Sequence, residues 1–337
     1  MQSYATIKTL QEMGHDVNMI DIRLTDANPK TLKYKIAGLI GRSSLLLHKF
    51  ENFWRQYFPT TRRYNNIQEL QTCPPSSDVY LVGSDQVWNP TLTTTLANAY
   101  FLDFGDKSVR RVAYASSFGF AEFPDESQFK ESFLGYLKNM DAISCREETG
   151  VKLLQKLGID STNVLDPTLL RSDYHELTGE ITEKDSLVFY PIGNNLEMVE
   201  AFALQIAGQL NLDYTNLMHR TYKFGRFFCN GLSVQDWIRS IASAKMVITT
   251  SFHGVAFSLV YQRQFIVIIS NRNRGSRITN LLDKLGLSCR YFFSVEDAQN
   301  SRCWESTIDY SQVSKKLEKM RITSIDFLKR ALDGKGK

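Results

Sequence analysis

Short apolar runs that end in polar loops and open into amphipathic helices recur along this chain, and that alternation leaves few folds open. In the first half the runs are Asp78–Val82, Ala99–Phe104, Arg111–Ala115 and Ala142–Ser144, with helical spacing over Phe129–Asn139 and Glu147–Leu157. In the second they are Ser186–Tyr190, Leu212–Asn216, Met246–Thr249 and Phe265–Ile269. Helices are predicted there over Asn195–Leu210, Val234–Ala244, Gly254–Tyr261 and Ser276–Leu285. Strands alternating with helices predict doubly wound α/β units with parallel sheets. The charged link Gly179–Asp185 separates them, giving one domain over 1–178 and another over 186–310. A highly charged helix within 311–337 is expected to pack back on the first domain, and a cleft is expected between the two sheets. A length of 337 residues accommodates two such domains.

The beginning breaks the pattern. Tyr4, Ile7 and Leu10 have helical spacing up to Gly14, and a strand is predicted over Val17–Asp21. This is the second half of a β-α-β unit, so the first strand of the N-terminal domain is expected to be missing. Residues 30–58 read as a helical arm carrying Lys30, Lys33, Lys35, Arg42, Lys49 and Arg55 beside the apolar series Ile36, Leu39, Ile40, Leu47, Phe50, Trp54 and Tyr57. Such a stripe is usually core, so packing on the first domain is the expected role. Peripheral contact with the inner membrane face is the alternative.

Composition excludes several classes. A net charge of +4 without a basic-aromatic motif gives no reason to expect nucleic acid. The five cysteines are odd in number and lack CxxC spacing, which argues against a disulfide framework or zinc site and fits a reducing compartment. No apolar run approaches the ~18 residues of a membrane span, and a cytoplasmic location is expected. His15, His48, His175 and His219 have no ligand spacing, so no metal is expected. Neither the dinucleotide glycine pattern nor the P-loop signature is present.

Four polar segments stand where strands give way to loops or helices. Thr250-Ser251-Phe252-His253-Gly254 follows Met246–Thr249, a strand end where open α/β sheets place ligands. The N–H groups of the following helix favour an anion there, and His253 is placed to exchange a proton beside it. A capping or wall histidine is the alternative. The loop Gly83–Pro90 carries Ser84, Asp85, Gln86 and Asn89 beside Trp88, whose flat face suits a sugar ring; a turn bonded to its own backbone is the alternative. In Ser144–Glu148, Arg146 can fork onto a carboxylate or phosphate, while Glu147 and Glu148 read as acids offsetting a helix dipole. Cys145 has no neighbouring histidine to make it a nucleophile. Asp166-Pro167-Thr168 reads as a capped helix start. Arg272, Arg274 and Arg277 crowd what reads as a loop after Ile269, either as solvated surface or as a phosphate clamp.

Taken together, Val82–Pro90, Ser144–Glu147, Val164–Pro167 and Thr250–Gly254 resemble the polysaccharide pyruvyltransferase family, in order and spacing, from about Gln2 to Arg290. The resemblance implies a GT-B-like pair of Rossmann-type domains and transfer of pyruvate from phosphoenolpyruvate to sugar hydroxyls of a cell-surface polysaccharide precursor, as a ketal. The donor is then a substrate, with no cofactor, and the acceptor a saccharide that is in some cases lipid-linked. It places donor-binding roles on Arg146 and His253. With them it implies His253 as acid and base, Asp85 as an acceptor-side hydrogen-bonding group or base, and Ser84, Gln86, Trp88, Asn89, Ser251, Gly254 and Arg277 as substrate contacts. Family members carry a strand and an Asn- and Gly-containing loop before the segment matching Gln2–Ala5, so an inactive truncated member is one alternative. A glycosyltransferase using a nucleotide sugar on the same architecture is the other.

Overall fold

The computed structural model describes residues 1–22, 45–89, 97–120, 127–193, 196–218, 232–269 and 272–334. The chain divides into two compact units. The first comprises Gln2–Asn28, Pro59–Leu170 and Lys315–Lys337. It opens with the helix Gln2–Glu12, which buries Tyr4, Ala5, Ile7 and Leu10 along one face. β1 (Met19–Ile22) pairs in parallel with β2 (Thr60–Tyr64). A second sheet runs in chain order through β3 (Val79–Val82), β4 (Arg110–Ser116), β5 (Ala142–Cys145) and β6 (Thr162–Asn163), every pair parallel. Parallel strands are covered on both faces, which is why Val112, Ala113, Tyr114 and Ala115 are all fully buried rather than alternating.

The core of this unit is aromatic. Trp88 lies within 6.5 Å of Phe101, Phe118 and Phe133, centroid to centroid, and is stacked on the first of these. Between the two sheets is a cavity of about 520 Å3 lined by Ile20 and Ile22 of β1 and by Val79, Leu81 and Gly83 at β3. Among the described residues no strand is hydrogen-bonded to either of the edges that face it. The long helix Tyr310–Asp333 is tied to this unit beyond its first turn. The Leu165 amide donates to Ser324 Oγ at 2.9 Å, and Arg321 Nε donates to the Leu169 carbonyl at 2.7 Å.

The second unit contains Pro29–Phe58 and Arg171–Ser314. Its strands are β7 (Lys184–Tyr190), β8 (Asp213–Asn216), β9 (Ala244–Thr249), β10 (Gln264–Ile268) and β11 (Tyr291–Phe292). They form one parallel sheet in the order β11-β10-β9-β7-β8. The chain leaves β7 toward β8 on one side and resumes at β9 on the other. The order therefore reverses at β7 and β9, which makes their carboxyl ends the switch point of the sheet.

Several sequence expectations are corrected. Residues 97–104 form the short helix Ala97–Tyr100 and a turn, not a strand, because Phe101, Leu102 and Phe104 are buried as an irregular aromatic cover. β2 was not anticipated: Thr-Thr-Arg-Arg-Tyr has only Tyr64 buried, so it carries no apolar run to announce it. Arg272, Arg274 and Arg277 lie in the helix Arg272–Leu285, not in a loop. The basic positions Lys30, Lys33, Lys35 and Arg42 of the expected arm fall outside the described residues. The helix Leu45–Tyr57 groups with the second unit instead of the first, packing on the helix Val234–Ser243.

Candidate functional site

Three carboxyl-end segments of the β3–β6 sheet converge on one guanidinium. β3 ends at Val82, and the chain turns through Gly83, where a side chain is impossible: a Cβ would lie 1.8 Å from the Tyr114 carbonyl. That approach brings Ser84 and Asp85 alongside β4. Asp85 adopts φ 78°, a left-handed conformation that Asp tolerates better than most residues. Its carbonyl accepts from the Ser117 amide at 3.0 Å. β5 delivers Arg146 directly after Cys145, and the residue after β6 and Val164-Leu165 is Asp166.

The Arg146 side chain is only 1% exposed and lies among three carboxylates. Nη2 donates to Asp85 Oδ1 at 2.8 Å and Nη1 to Asp166 Oδ2 at 3.1 Å, while Nε is 3.5 Å from Glu147 Oε2. Burial pushes the guanidinium pKa down, but Asp166, Glu147 and Asp85 outweigh it, so it is held above its ordinary value and stays charged. A buried charge needs such company, since removing its partners costs several kcal/mol, roughly 3–5 for a buried pair.

Two of the three carboxylates are fixed in place. Asp166 caps the turn Pro167–Leu169, its Oδ1 accepting from the Thr168 amide and hydroxyl at 3.0 and 2.7 Å. Its Oδ2 accepts from Gln2 Nε2 at 2.7 Å and lies 3.2 Å from Ser84 Oγ. Glu147 Oε1 accepts from the Ser117 hydroxyl at 2.5 Å. Glu147 is thus a buried partner of Arg146 at the N-cap of the helix Glu148–Gln155, where sequence reasoning had it offset a dipole. Asp85 differs: its side chain is 55% exposed, against 0% for Asp166 and 3% for Glu147.

The rest of the Gly83–Asn89 loop is internal scaffolding. Asn89 Nδ2 donates to Gln86 Oε1 at 2.8 Å, and the Trp88 amide donates to the Ser117 carbonyl. Trp88 is fully buried and its Nε1 donates to the Tyr100 carbonyl, so its ring offers no face to a sugar. The expected platform is a core residue, because Phe101, Phe118 and Phe133 already cover it. Pro90 lies outside the described residues. Cys145 is buried, and both that burial and the Glu147 charge push its thiol well above its ordinary range, which removes it as a nucleophile.

In the second unit, the loops after β7 and β9 are stitched together at the switch point. Thr250 Oγ1 accepts from the Ile192 amide at 2.6 Å and lies 2.9 Å from the Ile192 carbonyl. Ser251 precedes the helix Phe252–Val260 as its N-cap, without a capping bond from its side chain. The Tyr190 phenol is raised by burial, an effect that its hydrogen bond with Ser251 opposes. His253 is half-buried in the first turn of this helix, its ring 5.7 Å from that of Phe252. Gly254 has a packing reason: a Cβ there would meet Thr249 Oγ1 at 2.3 Å. Arg277 places its guanidinium 6.0 Å from the Phe252 ring centre.

Ser84, Asp85 and Arg146 are therefore assembled in the first unit, and Ser251, His253, Gly254 and Arg277 in the second. Asp166, Glu147, Ser117 and Gln2 complete the first cluster and were missed as site residues. The one available signal was that Asp166 and Glu147 also lie just past the strands of the same sheet. Among the described residues no group of three or more His, Cys, Asp or Glu side chains could hold a metal ion.

A family model described as polysaccharide pyruvyl transferase matches residues 1–272. No curated protein matches. Among solved structures, a UDP-GlcNAc 2-epimerase from Methanocaldococcus jannaschii is 12% identical with a TM-score of 0.48, covering 90% of this chain and 88% of its own. The glycotransferase of kitacinnamycin is 10% identical with a TM-score of 0.48, covering 98% and 95%. The wall teichoic acid polymerase TagF is 12% identical with a TM-score of 0.37, covering 69% and 71%. Likenesses at this level say nothing of chemistry.

Proposed function

The chain belongs to the polysaccharide pyruvyl transferase family, and from that premise we propose that it moves pyruvate from phosphoenolpyruvate onto two hydroxyls of a saccharide as a cyclic ketal. The donor's methylene carbon takes a proton, which leaves an oxocarbenium-like centre at the carbon bearing the phosphate. One sugar hydroxyl attacks that carbon, the bond to phosphate breaks, and the second hydroxyl closes the ring. Of the two hydroxyl protons, one replaces the proton consumed at the methylene and the other leaves with inorganic phosphate.

The observation that carries this reading is the family match together with the residues found at strand ends within each unit: a buried, permanently charged guanidinium in one and a histidine at a switch point in the other. Arg146 is assigned to the donor's anionic groups, His253 to proton delivery and Asp85 to the acceptor hydroxyl. A positioned acid contributes roughly 10²–10⁴-fold to such a step. Arg277, beside Phe252, is assigned to the donor phosphate.

No metal ion is assigned to the reaction, so chelation with EDTA should leave turnover unchanged. The acceptor is taken as a precursor of a cell-surface polysaccharide, lipid-linked or free. The test is phosphate release from phosphoenolpyruvate that depends on an added saccharide panel, with the ketal identified by mass spectrometry. Release of nucleotide from a nucleotide sugar under the same conditions would replace this reading with glycosyl transfer.

A further inference from the structure

The Arg146 guanidinium lies within reach of three carboxylates, and at 1% exposure it has no face for an incoming anion. Asp166 is locked by Thr168, Gln2 and Ser84, and Glu147 by Ser117, both out of solvent. Asp85 is the only one of the three whose side chain reaches solvent, at 55% exposure, and it accepts from Nη2 at 2.8 Å in a part-buried bond, whereas the Nη1–Asp166 bond is buried.

We propose that the Asp85 carboxylate is a placeholder anion, covering Arg146 until the donor's carboxylate or phosphate takes its place on Nη2. This rests on the assignment of Arg146 to donor binding. The exchange is one charge-assisted hydrogen bond for another, so the buried cation is never left with its outward side uncompensated. The loop backbone need not move, because the Asp85 carbonyl is held by the Ser117 amide and only the side chain has to rotate into solvent. Displacement also releases the carboxylate assigned to the acceptor hydroxyl. Donor arrival and release of the base are then one event, and the donor binds first.

Titration calorimetry with phosphoenolpyruvate on the wild-type chain, Asp85→Asn and Arg146→Lys tests this, alongside a structure of the wild-type chain with phosphoenolpyruvate bound. A neutral amide competes less well for Nη2, so Asp85→Asn should bind the donor roughly tenfold tighter, the scale of one charged hydrogen bond. Its kcat should fall at the same time, a split that a merely structural loop residue would not produce. The gain should persist in molar salt, where a through-space effect of the lost charge is screened. In the complex a donor oxygen should lie on Nη2 with the Asp85 side chain turned away. Unchanged or weaker affinity in Asp85→Asn, or a bound donor with the Asp85–Arg146 pair intact, overturns the placeholder while leaving the donor assignment standing. Equal donor affinity in the wild-type chain and Arg146→Lys removes Arg146 from the donor site, and the placeholder goes with it. Absence of donor binding to all three proteins removes the proposed reaction itself.

Discussion

At the residue scale, Trp88 is a packing residue and His253 is the residue proposed to deliver the proton. Trp88 is fully buried among three phenylalanines and hydrogen-bonded to Tyr100. Trp88→Ala should cost roughly 3–5 kcal/mol of stability, the usual range for an aromatic truncation in a core. Chemical denaturation would show it, and a loss below ~1 kcal/mol, the scale of an ordinary surface or conservative change, would mean the ring is not core. His253 is half-buried in the first turn of its helix, where truncation leaves the Phe252–Val260 backbone ladder untouched. His253→Ala should abolish phosphoenolpyruvate-dependent transfer with little change in melting temperature. Near-normal turnover in the folded variant would remove it from the reaction.

At the scale of elements, the cavity beside β1 and β3 sets a pattern of backbone protection. Successive residues of a strand point their amides to opposite edges. The Met19 and Asp21 amides bond toward β2, to the Pro59 carbonyl and Thr61 Oγ1, so those of Ile20 and Ile22 face the cavity. The Asp78 carbonyl accepts from Arg110 on β4, so Tyr80 and Val82 share that edge while Leu81 faces the cavity. Hydrogen exchange at Ile20, Ile22 and Leu81 should therefore be faster than at Asp21, Tyr80 and Val82. Equal protection across the six would show that the cavity-facing edges are paired in solution.

On the scale of the whole molecule, each unit has its own aromatic and aliphatic core. Among the described residues no helix is long and apolar enough to cross a membrane. The helix Leu45–Tyr57 buries Phe53 next to the buried Phe58, half-buries Trp54 and Tyr57 and leaves Phe50 47% exposed, so part of its aromatic stripe is spent on packing. Sedimentation with anionic liposomes at low salt should leave the protein in the supernatant. Binding that disappears when Lys33, Lys35, Arg42 and Lys49 become Glu would instead assign the arm to the membrane surface, where each basic residue contributes ~1 kcal/mol.

The parallel α/β class was legible because parallel strands covered on both faces read as continuously apolar runs, as Met246–Thr249 and Val112–Ala115 do, and because such runs alternate with helical spacing; a lone run such as Ala99–Phe104 misled. The family motifs were legible because polar residues just past a strand stand out against the apolar run before them, as with Asp85, Arg146 and His253. β2 and the true place of Trp88 were not. β2 has one buried side chain and owes its existence to the ladder with β1, which no local pattern encodes. Trp88 sits among polar residues in sequence and among phenylalanines in space. The charge cluster was hidden for the same reason: Asp85, Arg146 and Asp166 are far apart along the chain and meet only because β3, β5 and β6 of one parallel sheet end on the same side. Periodicity fixes which face of an element is buried, but only packing decides which distant side chains share a site.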